Sequence, residues 1–189
     1  STTKQMLIDR VDADKDQLIT FLRGFLRAKS PNPPGDTREA TSYITDYLDG
    51  KGVEYQVVGP DPEKPNIVST FQSPVEGKKL ILNGHIDVFP VGSGEGWSQE
   101  AWGGELVDGK IYGRGACDMK AGTTASIYTY LVLHELREQL KGSVTLTAVS
   151  DEETGGRLGA GWLIENVPET LGDCCINGEP SSPYTIRFG

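Results

Sequence analysis

The stretch "KKLILNGHIDVF", residues 78–89, does most to limit what this chain can fold into. It is nearly continuous in apolar residues through its middle, the pattern of a strand covered on both faces. Its polar members, His85 and Asp87, arrive only at the end of the run. A second run, "SVTLTAV" (143–149), is rich in Val and Thr, as a buried strand is. It too runs into polar residues: Asp151, Glu152 and Glu153 stand together, and Thr154 and two glycines follow. Three adjacent carboxylates repel one another and are costly beside apolar surface. Their place at a strand end calls for a partner of opposite charge.

Around these runs the pattern alternates. Residues 4–28 place Leu7, Val11, Leu18, Phe21, Leu22, Phe25 and Leu26 at helical spacing, which predicts one amphipathic helix. "SPNPPGD" breaks it. Asp36 is a candidate cap for a second helix reaching about Leu48, with Gly50 and Gly52 beyond. "VEYQVVG" and "NIVSTF" read as strands joined by "PDPEKP". Residues 90–104 form a long Gly- and Trp-rich loop, in which Trp97 and Trp102 either line a cleft or pin the loop. "ELVDGKIYGRG" predicts a hairpin about Asp108-Gly109, and Asp118–Leu140 a helix that stops at Gly142. A short helix is expected around Trp162, a buried strand at "DCCINGEP", and the start of another at "YTIRFG". Helices alternating with apolar strands indicate an α/β layered fold with a mostly parallel or mixed sheet.

Charge and length narrow the function classes. The 189 residues allow one domain, and a net charge of −9 argues against nucleic acid or an anionic membrane as partner. No run of 18 apolar residues spans a membrane, and the N-terminus lacks the apolar core of a signal peptide. Cys117, Cys174 and Cys175 form neither a disulfide framework nor a CxxC pair, which suits a reducing, cytoplasmic compartment.

The polar residues sit where ligands bind in α/β sheets, beyond the carboxyl ends of strands. "LILNGHIDV" ends in His85 and Asp87, "GRGACDMKAG" puts Asp118 at the mouth of a helix, "VSDEETGG" carries Glu152 and Glu153, and "INGEP" ends in Glu179. One imidazole and several carboxylates gathered on one edge need a cation. Such a donor set suits Zn²⁺, and also Mn²⁺ or Co²⁺, and the surplus of carboxylates points to two ions with one carboxylate bridging. Two residues from His85, Asp87 is spaced to accept the imidazole's other N–H. Of the adjacent Glu152 and Glu153, one is free to hold metal while the other faces a water as general base. His134 and Cys117 read as structural residues, the latter as a small packing residue. Taken singly, each acidic residue has a plain alternative, Asp118 as a helix cap and "DEE" as a solvated turn.

At "GHIDVFP", "GRGACDMKAG", "SDEETGG" and "NGEPS" the chain resembles the M20 family of metallopeptidases. That family includes acetylornithine deacetylase, succinyl-diaminopimelate desuccinylase, aminoacylase-1 and glutamate carboxypeptidases. The motifs fall in the family's order, and the likeness runs from the first helix to the last strand. It implies a three-layer zinc-exopeptidase-like α/β fold with helices on both faces of the sheet. It implies two divalent metal ions, with His85 and Glu179 on one, Glu153 on the other and Asp118 bridging. Asp87 would orient His85, and Glu152 would activate a water held between the ions. A cis peptide is implied after Asp118.

The activity implied is hydrolysis of an amide bond in an N-acyl amino acid or short peptide. Members of the family usually continue into a lid that serves dimerisation, and then return to the catalytic domain with a further metal-binding histidine. Residues 1–189 are therefore expected to be the N-terminal portion of a catalytic domain, with the second metal site incomplete and little turnover. The full-length protein is expected to be a homodimer through the lid. A non-catalytic binding or assembly domain that keeps the fold is the alternative, and a metal-free pair of acid/base carboxylates a further one.

Overall fold

The computed structural model describes residues 3–182. In chain order the elements are α1 (Thr3–Ala13), α2 (Lys15–Arg27), α3 (Arg38–Gly50), β1 (Gln56–Val58), β2 (Asn66–Gln72), β3 (Val75–His85), β4 (Glu105–Val107), β5 (Lys110–Tyr112), α4 (Lys120–Glu135), β6 (Lys141–Val149), α5 (Ala160–Asn166) and β7 (Cys174–Asn177). The main sheet has the order β1-β2-β6-β3-β7, and β4 and β5 form a separate hairpin. β1, β2 and β6 pair antiparallel, whereas β3 runs parallel to both β6 and β7. The sheet is therefore mixed, with its parallel half carrying the acidic strand ends.

Three layers result. Phe21 and Phe25 of α2, Ile44 and Leu48 of α3, and Ile127 and Tyr130 of α4 pack on Ile67, Phe71, Leu82, Val144 and Leu146 of the sheet. On the opposite face Leu163 of α5 packs with Val68, Val149 and Val167. Burial of such side chains is worth about 1.5–3 kcal/mol each. This α/β architecture with helices on both faces is the expected one. No helix among the described residues is long and apolar enough to cross a membrane.

Several expectations need correction. The single helix over residues 4–28 is two, broken at Asp14. Met6, Ile8 and Val11 of α1 are exposed, so no apolar face holds this segment in line with α2. Thr37 rather than Asp36 takes the cap position of α3 and makes no side-chain cap bond; Asp36, one residue earlier, accepts the Arg38 backbone N–H at 3.2 Å and pairs with the Arg38 guanidinium. β7 is exposed along its length, because it is an edge strand paired only to β3 among the described residues. Cys117 is exposed and packs in no core. The strand expected at "YTIRFG" lies outside the described residues.

Candidate metal centre

The register of the parallel strands assembles the site. His85 lies beside Val149, so the chain leaving β6 delivers residues 150–153 next to the residues that follow His85. Asn83 lies beside Asn177, which carries Glu179, two residues on, to the level of His85. The approach of β7 to α4 depends on two glycines. A Cβ on Gly122 would stand 2.2 Å from the Gly178 carbonyl oxygen, and one on Gly178 would stand 2.8 Å from Gly122 Cα. Asp118 comes from the loop before α4, and the Asp118–Met119 peptide is cis, as the family likeness led us to expect. α4 begins only at Lys120, so Asp118 is no helix cap.

All six residues singled out from the sequence meet here. His85 Nε2 lies 3.2 Å from Asp118 Oδ1, 3.3 Å from Glu179 Oε1 and 3.7 Å from Glu152 Oε2. Two triads have ligand atoms mutually within 4.8 Å: His85 with Glu152 and Glu179, and His85 with Asp118 and Glu153. The triads share His85 Nε2, the ring nitrogen that Asp87 leaves free, and one nitrogen ligates one ion, so they mark overlapping places for a cation. Glu152 stands in a triad although the family likeness gives it the role of base, and Glu153 is grouped with Asp118 as that likeness implies. Glu153 Oε1 also accepts the Phe89 backbone N–H at 3.0 Å.

Asp87 does more than orient the imidazole. His85 Nδ1 is 2.8 Å from the Asp87 backbone carbonyl oxygen and 3.3 Å from its Oδ1, so the carbonyl is the closer partner. The carboxylate accepts the backbone N–H groups of Glu152 (3.2 Å) and Glu153 (3.1 Å), and the Asn32 amide at 2.8 Å. Asp87 thus binds the end of β3 to the turn after β6. His85 is further fixed by its backbone N–H on Met119 Sδ at 3.3 Å and by Thr123 Oγ1 donating to its carbonyl at 2.7 Å.

The electrostatics are those of closely grouped carboxylates around one imidazole. Burial pulls the His85 imidazole down, but the Asp87 carboxylate, Glu179 and the Asp87 carbonyl outweigh it and raise the pKa to about 9. Burial works to raise the Asp87 carboxyl, yet His85, Asn32 and the Glu153 amide hold it below the ordinary range. Glu153 and Glu179 are pushed up, first by burial and then by the surrounding carboxylates. A divalent ion would relieve that repulsion, so the donor set fits a metal.

Sequence reasoning missed Asn32, which is fully buried and bonded to both Asp87 and Thr154. Its segment runs beside the chain after β3, with Asn32 N–H donating to the Val88 carbonyl at 2.9 Å. "SPNPPGD" signalled only a helix break, since nothing local marks Asn32 as a partner of a residue 55 positions on. Trp97 and Trp102 lie under cations, Arg114 at 5.3 Å and Lys29 at 5.9 Å, contacts that tie down the long loop. His134 is half-buried, edge-on to Phe71 at 5.6 Å.

Residues 81–189 match the model of peptidase family M20/M25/M40. The chain is 34% identical to a succinyl-diaminopimelate desuccinylase of Gluconacetobacter diazotrophicus over 170 residues, 87% of this chain and 43% of that protein. It is 32% identical to an N-formyl-4-amino-5-aminomethyl-2-methylpyrimidine deformylase of Halalkalibacterium halodurans over 152 residues, 79% of this chain and 36% of the relative. The chain thus spans under half the length of these curated relatives. Among solved structures, an M20 family metallo-carboxypeptidase of Sulfolobus solfataricus has a similar fold, with a TM-score of 0.73 at 22% identity, covering 85% of this chain and 37% of that one.

Proposed function

This chain belongs to peptidase family M20/M25/M40, and from that premise we propose that it is part of a metal-dependent amidohydrolase. The reaction is hydrolysis of an amide bond in an N-acyl amino acid or short peptide. The observation that carries this reading is the pair of donor triads sharing His85. Two of the relatives are by name a desuccinylase and a deformylase, which favours an N-acyl substrate here. The alignments take in 43% and 36% of those proteins, in keeping with a chain that forms a portion of the catalytic domain.

In this reading His85 and Glu179 would hold one ion and Glu153 the other, with Asp118 available to both. Zinc suits an all N/O donor set, as do manganese and cobalt. Bound as a pair, such ions polarise a carbonyl oxygen and lower the pKa of water. Glu152 takes the proton as the water oxygen bonds to the carbonyl carbon, and delivers it to the amine as the C–N bond breaks. Its side chain is exposed at the cluster, 3.7 Å from His85 Nε2, so it is open to solvent and to a substrate from that side. Asp87 holds the His85 ring and the backbone of both glutamates, so base and ligands keep their spacing.

Zinc titration by calorimetry tests the proposal. The 189-residue chain should take up one ion more tightly than a second, because it offers a single imidazole at the cluster. His85→Ala should abolish uptake, and Glu153→Ala should spare the first ion. A chain that binds no zinc would sink the reading.

A further inference from the structure

The first carboxylate of "DEE" joins neither triad, and its surroundings say what it does instead. Asp151 is 4% exposed and has left-handed backbone, with φ 77°. Asx residues tolerate that region better than most side chains do. Its Oδ1 accepts from Thr154 Oγ1 at 2.6 Å and from Lys64 Nζ at 3.1 Å, and its Oδ2 accepts the Leu158 backbone N–H at 3.0 Å. Its backbone carbonyl accepts the Gly156 N–H at 2.6 Å. The carboxylate therefore closes the turn that carries Glu152 and Glu153. Lys64 is largely buried too, its side chain 16% exposed, and comes from the proline-rich loop before β2.

We infer that Lys64 and Asp151 are a positioning pair for the metal centre. Thr154 Oγ1 donates to Asp151 and accepts from Asn32 Nδ2 at 3.0 Å, and that same amide donates to Asp87 Oδ2. A continuous hydrogen-bonded path therefore runs from Lys64 through Asp151, Thr154 and Asn32 to Asp87, where the N–H groups of Glu152 and Glu153 also end. Lys64 neutralises one of three adjacent carboxylates and turns it away from the cluster. The two that remain point into different triads. Paired charges at low exposure keep a fixed geometry because either one alone is poorly solvated there. The loop of residues 60–65, remote in sequence from every proposed ligand, thus sets the spacing of base and ligand. This inference rests on the metal reading of the site, but its first test does not.

Amide hydrogen exchange on the metal-free chain is that first test, with Lys64→Met and Asp151→Asn beside wild type. Both variants should lose protection at Glu152 and Glu153 by tenfold or more, while amides of α4 keep theirs, and Lys64→Arg should restore it. The second test is cobalt(II) titration followed by the visible spectrum. The two variants should bind 10–100-fold more weakly, with an altered band pattern, as when partners that hold metal ligands are removed. Should Asp151→Asn fail to fold, Lys64→Met tests the pair with the turn's own residues untouched. Unchanged exchange at Glu152 and Glu153 in a folded Lys64→Met chain would overturn the inference. A wild type that takes up no cobalt would instead overturn the metal reading, and the exchange result would still decide the pair's role.

Discussion

Glu153 donates its backbone N–H to Asp87 Oδ2 at 3.1 Å, so a residue two positions past His85 fixes the chain leaving the neighbouring strand. The direction of the clustered carboxylates is set by backbone as much as by side chains. A carboxylate that receives several N–H groups in a buried place is both ionised and immobile.

Asn32 is the side-chain amide that completes this arrangement. Asn32→Ala removes a donor to a buried carboxylate and should destabilise the chain by about 1–3 kcal/mol. Asn32→Asp should do more harm, since it sets a second carboxylate against Asp87. Urea melts of the metal-free chain would check both. Equal stability of all three proteins would contradict the assignment.

His85 makes the metal-free chain pH-sensitive. Its folded pKa, about 9, is raised above the ordinary 6.5. The stabilisation is therefore fully present below pH 6.5 and is lost as pH rises through 9. The advantage of wild type over His85→Gln should shrink by about 3 kcal/mol across that window, an upper figure from the shift. Melts of both proteins in chelator at pH 6 and pH 9.5 give the difference directly.

Lys120 should tilt stability the other way. It is fully buried, donates to the Phe25 and Ala28 carbonyls at 2.9 and 2.6 Å, and burial lowers its pKa to about 7. A lysine pKa below its ordinary 10.5 means that the unfolded chain binds the proton more tightly, so wild-type stability rises with pH between 7 and 10.5. Lys120→Met removes that dependence, so the variant should compare worse with wild type at pH 10 than at pH 6. The change is roughly 4 kcal/mol at the outside. A pH-independent difference would contradict it.

Gly178→Ala tests how Glu179, the last of the proposed ligands, is delivered. Its Cβ would meet the Gly122 backbone at 2.8 Å, forcing β7 away from α4 and Glu179 away from His85. A stability loss of about 1–3 kcal/mol is expected for such overpacking. First-ion zinc affinity should fall with it, whereas Gly50→Ala, at the end of α3 with open space around its Cβ position and no positive φ, should leave zinc uptake alone.

Much of this was legible in the chain itself. The apolar run at residues 78–89 and the Val/Thr run at 143–149 became the central β3 and β6, because strands buried on both faces must be apolar throughout. "DG" at 108–109 gave its hairpin, since only such residues suit the turn. The polar residues at His85, Asp87, Asp118, Glu152, Glu153 and Glu179 stood out because a strand end is a costly place to group like charges. The break at Asp14 was hidden, as helical spacing in α1 looked adequate until packing left its apolar side chains exposed.

Sequence alone singled out the polar residues that the fold brings together, because residue type and position at a strand end follow from local pattern. It could not determine that Asp151 turns away to Lys64 while Glu152 and Glu153 turn inward, nor that Asn32 supports Asp87. Those choices depend on contacts across 87 and 55 positions. The antiparallel register of β2 on β6 brings Lys64 to Asp151, and the bridge of Pro31 to Val88 beside the parallel β3–β6 pair brings Asn32 to Asp87; those registers are set by burial of both sheet faces, which no local pattern encodes.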